Sequence, residues 1–296
     1  LLDAGADPKR IELHHHDVDG GTPFMDWPVT PDYCRKIAEA LAVPIYFSYK
    51  DGGFLREMSR NGDPTAPIVF ETPDGEFQTG GRGPAGTRGK FPQVSPDLSV
   101  RWCSAYLKID VMAASIRNQP RFVGKRTLVV TGERAQESAS RARYSAFEPH
   151  RTDLREGRNP RHVDHWRPVH HWREEAVWEI MRRWGIVPHV AYQLGWGRLS
   201  CLSCIFGNPN QWASVREFFP EHFQRVSEKE RESGATIQRK RTVGELADRG
   251  VPYAAGVGRA DLLQLAMSPV WHGPIQLPTD DWTVPPGAFA GCTGPA

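Results

Sequence analysis

The sequence predicts an α/β fold that contains a parallel sheet, long irregular insertions and a C-terminal helical or irregular tail. Three observations predict it: a short alternating apolar run at residues 10–14 ends in a polar cluster, residues 31–41 carry apolar side chains at helical spacing, and residues 43–49 form a second compact apolar run. Strand, helix and strand in this order favour a parallel pair joined by a crossover helix.

The later part of the chain continues this alternation, with two irregular stretches inserted. The predicted elements and insertions are, in chain order, a hairpin at 68–70 and 76–77, a mobile lid or excursion at 79–92, a helix at 101–117, a strand at 127–130, an arginine-rich irregular segment at 135–167, an amphipathic helix at 171–184, and a helical span at 211–232 that breaks at Pro220. We expect the stretch beyond Gly250, rich in proline and glycine, to wrap the surface.

Composition limits the classes of protein to which the chain can belong. Its 296 residues are 39% hydrophobic and 24% charged, enough for one full-sized domain, which we place at residues 1–246, with a tail at 247–296. The net charge of +2 supplies no global field for nucleic acid or acidic membranes. No signal peptide or apolar run of roughly 18 to 20 residues is present, so we expect a cytoplasmic protein without a membrane partner.

The segment that follows the predicted strand at 127–130 is a candidate anion site. Open α/β sheets bind ligands at the carboxyl ends of their strands. Gly132 would let the backbone turn tightly beside a bound group, while Arg134, Arg141 and Arg143 supply forked donors suited to phosphate or sulfate. The alternative is an arginine-rich solvated loop, and the position at a strand end favours the binding site.

The five cysteines are too few, and odd in number, for a disulfide scaffold, so reduced thiols or metal-bound thiolates are expected. Cys201 and Cys204 have the spacing of zinc, iron-sulfur and redox sites. With Cys103 they would give three thiolates for a cluster with one open iron, and His170 and His171 could instead complete a zinc site. The alternative is a pair of buried core cysteines. Metal binding by the histidines at 14–16 is not expected, because neighbouring strand residues point to opposite faces.

These features, in this order, resemble the phosphoadenosine phosphosulfate (PAPS) reductase family, which belongs to the wider group of ATP pyrophosphatase-like proteins. The resemblance extends from Leu1 to about residue 246, and five motifs in sequence order make it specific. The matching segments are residues 11–19, 101–109, 131–141, 166–178 and 197–204.

The resemblance implies a Rossmann-like parallel sheet with an adenine nucleotide across the carboxyl ends of its strands. In the family a loop close to Ser-Gly-Gly-Lys-Asp-Ser wraps the phosphates, and this sequence lacks it; Gly52-Gly53 and Gly80-Gly81 are no substitutes. We therefore expect Leu1 to lie in the helix after that loop, with the first strand upstream.

Two other departures concern the thiols. Thioredoxin-dependent members use a cysteine in a C-terminal Glu-Cys-Gly motif, whereas Cys292 here lies in Gly291-Cys292-Thr293. Iron-sulfur members have a Cys-Cys pair where this chain has Trp102-Cys103, so a four-thiolate site is not completed in the usual way. A three-thiolate cluster, as in sulfur-transfer relatives that include nucleic-acid-modifying enzymes, stays open.

The resemblance implies an enzyme of sulfur metabolism that binds PAPS or ATP. It would either reduce an activated sulfate with a thiol donor or use ATP for sulfur transfer with an iron-sulfur cluster; the rival of another class is a non-catalytic nucleotide-binding or interaction protein. The roles that it implies are nucleotide or phosphate binding by Asp17, Asp19, Lys108, Gly132, Glu133, Arg134, Ser138 and Arg141, with magnesium at Asp17 and Asp19, and a cluster or zinc at Cys103, Cys201 and Cys204.

Overall fold

A computed structural model describes residues 1–290, and its first sheet is built from the N-terminal part of the chain. Strands β1 (Leu13–Asp17) and β2 (Ile45–Lys50) pair in parallel, and helix α1 (Thr30–Ala40) is the crossover between them. Strands β3 (Pro67–Thr72) and β4 (Gly75–Gly80) extend the sheet as an antiparallel hairpin in the order β1-β2-β3-β4. The predicted strand-helix-strand unit and hairpin are confirmed.

The first strand begins three residues later than the sequence predicted. Residues Pro8–Arg10 instead form a 3₁₀ turn, which Asp7 caps by accepting a hydrogen bond from the backbone N–H of Lys9 at 2.9 Å. Proline at the first position of this turn favours helical geometry over extended backbone. The histidines consequently lie within β1 and Asp17 is its last residue.

A second sheet follows the helical segment in the middle of the chain. Strands β5 (Arg126–Val130) and β7 (His162–Trp166) are parallel, and the short strand β6 (Phe147–Pro149) pairs antiparallel to β7. The prediction that residues 135–167 are irregular throughout is wrong, since β6 and β7 lie in that range. Strand β6 has only three residues, and β7 carries histidine and aspartate beside Val163 and Trp166, so neither strand shows a clear period of two.

The predicted helix at 101–117 forms, but with a change of helical type in its middle. Helix α3 (Trp102–Ser104) passes into a π-helical turn (Ala105–Ile109) and then into helix α4 (Asp110–Arg117). The π turn packs against β1 and β2. The chain is therefore α/β with parallel pairing, as predicted, and its middle helix lies beside the first sheet.

The remaining helices cover the C-terminal half and the segment after β2. The break predicted at Pro220 is confirmed: Phe219 leaves helical geometry at φ −134° and ψ 59°. The helices are α2 (Gly53–Met58), α5 (Glu174–Arg183), α6 (Val190–Gln193), α7 (Pro209–Phe218), α8 (Pro220–Ser233), α9 (Val243–Ala247) and α10 (Ala260–Met267).

The largest hydrophobic cluster joins the N-terminal unit to the C-terminal helices through tryptophans. Trp27, Trp196, Trp212 and Trp271 are each 1% exposed. Trp271 packs against Tyr33 of α1 with 4.8 Å between the centroids of the tilted rings. The expectation that the tail only wraps the surface is wrong, because Trp271 belongs to the core cluster.

The excursion at 79–92 is anchored at its C-terminal end. Glu57 is buried and forms ion pairs with Arg60 at 3.3 Å and Arg88 at 2.8 Å. The Arg88 guanidinium also lies over the rings of Trp102 and Tyr106. A mobile lid is therefore the wrong description for this end of the segment.

No helix within residues 1–290 is both long enough and apolar enough to cross a membrane.

Candidate functional site

The loops that leave β1 and β2 touch each other through two glycines. A Cβ on Gly53 would lie 2.1 Å from the backbone carbonyl of Asp19, and a Cβ on Gly20 would lie 2.5 Å from the carbonyl oxygen of Lys50. Both glycines have positive φ, 51° and 55° respectively, which side chains rarely adopt. This close approach fixes the polar loop at the carboxyl end of the parallel pair.

Asp17 and Asp19 organise that loop. The Asp17 carboxylate accepts hydrogen bonds from the backbone N–H groups of Asp19 at 2.9 Å and Gly21 at 3.0 Å. The buried Asp19 carboxylate accepts from Phe24, Met25 and Asp26, at distances of 2.8 to 3.0 Å.

These hydrogen bonds satisfy both carboxylate oxygens of Asp19 without any ligand. Burial raises its pKa to about 6, although the backbone bonds act in the opposite direction. The contact of Asp17 and Asp19 with a nucleotide or magnesium stays a prediction, and Asp19 has its oxygens turned into its own loop.

The cysteine-bearing turn lies beside this loop and is tied to it on both sides of Asp26. The indole N–H of Trp27 donates to the carbonyl of Ser200 at 2.9 Å, and the backbone N–H of Ser203 donates to the carbonyl of Met25 at 3.0 Å. Asp26 therefore faces the thiols of the turn, and its carboxyl raises the pKa of Cys201 after the larger effect of burial.

The π turn explains how Cys103 and Lys108 reach the same cleft. In an α-helix, residues five apart point about 140° away from each other. In a π turn the hydrogen bonds run from residue i to i+5, so residues five apart lie close to one turn apart. Cys103 just before the turn and Lys108 within it therefore share a side.

Lys108, Asp26, Cys103, Cys201 and Cys204 line what we call the thiol cleft. Lys108 is exposed, whereas Asp26 and the three cysteines are half-buried. Cys201 makes the largest contribution to raising the pKa of Lys108, Asp26 and the other two thiols add to it, and desolvation opposes them. The Lys108 ammonium is thus the cation with which the Asp26 carboxylate and the three thiols interact.

Cys103 and Cys201 are protonated at rest. Burial raises the pKa of Cys103 to about 11 despite the opposing effect of Lys108, and burial also raises that of Cys201. Within residues 1–290, no group of three or more His, Cys, Asp or Glu side chains is arranged to hold a metal ion. The arrangement, with an ammonium among the thiols, does not fit a resident cation. Ligation of zinc or a cluster by Cys103, Cys201 and Cys204 stays an untested prediction.

A fourth thiol was missed by the sequence reasoning. Cys34 on α1 has its Sγ 3.7 Å from Nδ1 of His15 on β1. Burial and then Asp26 raise the pKa of Cys34 to about 11. The available signal was topological, because a crossover helix packs on the strand that precedes it. Cys292 lies outside the described residues.

The arginine motif lies at the carboxyl ends of the second parallel pair, as predicted. The backbone N–H of Thr131 donates to the Trp166 carbonyl at 3.1 Å, and that of Ala135 donates to the His170 carbonyl at 2.8 Å. Gly132 does not have a positive φ, and no atom lies within 4 Å of a Cβ built on it. The expected glycine-dependent tight turn is therefore wrong, while the space above Gly132 is open to an approaching group.

The charges of this motif are balanced by acids of the same chain. Glu137 pairs with Arg134 at 3.6 Å and contacts Arg141 directly. Glu133 pairs with Arg167 at 3.2 Å. A phosphate or sulfate would therefore compete with Glu137 for these guanidinium groups.

Serine and histidine side chains fix the same loop. The Ser138 hydroxyl accepts a hydrogen bond from the backbone N–H of Arg141 at 3.2 Å. His165 bonds the Thr131 hydroxyl at 2.7 Å and also lies 3.1 Å from Arg167. Arg167 and His165 are site-supporting residues that the sequence reasoning did not name.

Comparison with known families identifies the central part of the chain. Residues 78–206 match the phosphoadenosine phosphosulfate reductase domain. Over these residues the chain is similar to the phosphoadenosine phosphosulfate reductase family. The matched region contains Cys103, Lys108, the arginine motif and the turn that carries Cys201 and Cys204, so the PAPS reductase domain supplies most of both candidate sites.

One similar curated protein is an uncharacterized 37.8 kDa protein in the gpa 5′ region of Escherichia phage 186. It is 30% identical over 152 residues, which cover 51% of this chain and 42% of that protein. The alignment thus spans less than half of the relative's length. No solved structure matches the chain significantly.

The structure separates the predicted PAPS reductase site residues into two groups. The first lies around the thiol cleft at the carboxyl end of β1, and the second lies at the carboxyl ends of β5 and β7. The first group is Asp17, Asp19, Cys103, Lys108, Cys201 and Cys204; the second is Gly132, Glu133, Arg134, Ser138 and Arg141.

Proposed function

We propose that the chain is an enzyme of sulfur metabolism that binds an adenine nucleotide and reduces the activated sulfate of PAPS. The observation that carries the proposal is the thiol cleft, where Lys108 lies among Cys103, Cys201 and Cys204 beside the carboxyl end of β1. Ligands of open α/β sheets bind at such strand ends. Sulfur nucleophiles therefore lie where the fold favours a bound nucleotide.

The charges of the cleft suit this chemistry. A thiolate is the reactive form of cysteine, and a nearby ammonium stabilises it. The same ammonium opposes the negative charge that develops when a sulfated oxygen leaves. The arginine motif would hold the phosphate or sulfate oxygens once Glu137 releases Arg134 or Arg141.

A second candidate is an ATP-dependent sulfurtransferase with an iron-sulfur cluster. It rests on the spacing of Cys201 and Cys204 and on the resemblance described above. In such an enzyme Cys103, Cys201 and Cys204 would hold the cluster, which would carry the transferred sulfur. The exposed arginines Arg143 and Arg158 would suit a nucleic-acid acceptor.

The reductase is preferred because the thiols surround an ammonium and do not form a metal-ligand group within residues 1–290. The test is to purify the whole chain without oxygen, measure binding of PAPS and ATP by calorimetry, and assay sulfite and pyrophosphate release with a dithiol donor. We expect PAPS-dependent sulfite release. Pyrophosphate release from ATP by a brown, oxygen-sensitive protein would support the sulfurtransferase instead.

Two variants separate the roles in that assay. Lys108→Met should lower sulfite release at least tenfold while the protein stays folded. Arg134→Ala should weaken nucleotide binding, whereas Arg158→Ala, on an exposed loop, is the matched control. Binding of nucleotide without turnover of PAPS or ATP would indicate a non-catalytic nucleotide-binding protein.

A further inference from the structure

We propose that Cys201 and Cys204 are a redox-active dithiol that closes reversibly to a disulfide beside Lys108. The identity of the electron acceptor rests on the proposed function. The closure itself does not, and it can be measured in the protein alone.

The backbone already has the span that a disulfide needs. The N–H of Cys204 donates to the carbonyl of Cys201 at 3.1 Å, which closes a four-residue turn. The ends of such a turn lie less than about 7 Å apart between Cα atoms. Disulfides join Cα atoms at roughly 4.4 to 6.8 Å. The two thiols can therefore join without unfolding the turn.

The middle of the turn is anchored while its ends remain accessible. Leu202 and Ser203 are fully buried, and the Ser203 hydroxyl bonds Nε2 of His222 at 2.5 Å. Cys201 and Cys204 are only partly buried. Anchoring the two central residues fixes the backbone of the turn, so both cysteines stay near Lys108, with which both interact.

Lys108 favours the dithiol over a metal site. An ammonium repels a metal cation but attracts the thiolate that begins thiol-disulfide exchange. Cys201 contributes most to the electrostatic environment of this ammonium, and Cys204 contributes as well. The Lys108 ammonium can thus stabilise a thiolate on either cysteine of the pair.

The dithiol can supply the electrons of the proposed reaction. A thiolate attacks the sulfur of the sulfate-phosphate anhydride of PAPS, the bond from that sulfur to the bridging oxygen breaks, and the nucleotide leaves with its phosphate while the cysteine becomes S-sulfonated. The second thiol then attacks the first Sγ and releases sulfite. In total, one PAPS and two thiols give one nucleotide with a free phosphate, one bisulfite and one disulfide, with both thiol protons on the products.

An external dithiol must then reduce the disulfide, and Cys204 has an access route for it. Cys204 also lines a pocket with the aromatic side chains of Trp196, Phe206 and Tyr253. An incoming thiolate can attack Sγ of Cys204 from this pocket. Attack there leaves Cys201 as the departing thiolate next to Lys108.

The test is thiol trapping across mixtures of reduced and oxidised dithiothreitol, using the whole chain and a maleimide reagent. In the wild type, two thiols should become unreactive together. The peptide that carries both residues should become two hydrogen masses lighter. Cys201→Ser and Cys204→Ser should each abolish this step, and Cys34→Ser should leave it intact.

Further measurements test the disulfide independently of the proposed function. Lys108→Met should slow formation of the disulfide about tenfold near neutral pH, because the thiolate that begins the exchange loses its cation. Independent trapping of Cys201 and Cys204 in every mixture, or loss of the step in Cys34→Ser, would overturn the disulfide. Calorimetry with PAPS on Cys204→Ser tests nucleotide binding on its own; lack of binding while the wild type still forms the disulfide would overturn only the proposed function.

Discussion

The buried carboxylate of Asp19 accepts a hydrogen bond from the backbone N–H of Asp26 at 2.8 Å, so one acid sets the position of another. Asp26 in turn faces Lys108 and Cys201. We expect Asp19→Asn to lower the free energy of unfolding by about 2 kcal/mol, because an amide nitrogen cannot accept from the N–H groups that remain buried. Urea unfolding without any ligand measures this.

The Asp17→Asn variant is the control for the unfolding experiment, because the wild-type Asp17 carboxylate accepts its hydrogen bonds from a more exposed turn. Its effect should be smaller. If Asp19→Asn is as stable as the wild type, then the carboxylate does not organise the loop, and a direct role toward magnesium or nucleotide regains support.

Removal of one residue from the π turn should turn Lys108 away from the thiols. Deleting Ala105 leaves a continuous α-helix and rotates the preceding residues by about 100° relative to those that follow. We expect the reaction of Cys201 with iodoacetamide near neutral pH to slow about tenfold, as in Lys108→Met, because the thiolate loses its cation. Replacing the exposed Lys125 by methionine is the control, and an unchanged rate in the deletion variant would contradict the role of the π turn.

Substitution of Glu57 should destabilise the fold more than substitution of most other acidic residues. Its side chain is 1% exposed and faces Arg60 and Arg88. We expect Glu57→Gln to lower the free energy of unfolding by roughly 3 kcal/mol, because two partly buried guanidinium groups lose their partner. Limited proteolysis should then cut within residues 79–92, whereas Glu76→Gln on the exposed strand β4 should leave the cleavage pattern unchanged.

The ion pair between Glu12 and Arg121 should make the free energy of unfolding depend on pH in the acidic range. Two bonds, of 2.6 and 2.8 Å, join the groups. Burial acts to raise the pKa of Glu12, but the bonds to His14 and Arg121 prevail and lower it to about 2. A lowered folded-state pKa gives stability that is present above the unfolded value, near 4.5, and is lost as the pH falls toward 2.

We therefore expect Glu12→Gln to be less stable than the wild type by about 1 to 2 kcal/mol at pH 7. The difference should shrink between pH 4.5 and 2. Denaturant titrations at several pH values test this, and a difference that is constant over the range would refute the assignment to Glu12.

Two glycine substitutions test the geometry of the two candidate sites. Gly53→Ala should cost more than about 2 kcal/mol, because its Cβ would lie 2.1 Å from Asp19 and its φ is 51°. Gly132→Ala should change the free energy of unfolding by less than about 1 kcal/mol, since nothing lies within 4 Å. If Gly132→Ala folds normally but binds PAPS less well in calorimetry, the open space above it belongs to the nucleotide.

Local patterns predicted the elements whose period was clear. The crossover helix α1 has apolar residues at helical spacing, and Pro220 cannot continue a helix without loss of a hydrogen bond, so both were predicted close to their observed positions. Strand β7 was missed because only Val163 on it is fully buried and its neighbours are histidine, aspartate and tryptophan. Its burial comes from a contact with Ile116 and Phe122 that no local pattern encodes.

The same limit applies to the sites. Lys108 and the cysteines carry recognisable chemistry, so they were named from sequence. Asp26 was missed because its role depends on a loop fold set by Asp19, and the π turn has no sequence signature of the kind that capping residues or proline supply. Residue type predicted which groups react, and tertiary contacts determined which of them meet.

The bond from the Trp27 indole to the Ser200 carbonyl links two stretches that are 173 positions apart. If the cysteine turn alone were transplanted into another scaffold, it would lack the hydrogen bond from Trp27 that supports it. An engineer would have to transplant both stretches as one module, and natural variants that alter one of them should carry compensating changes in the other.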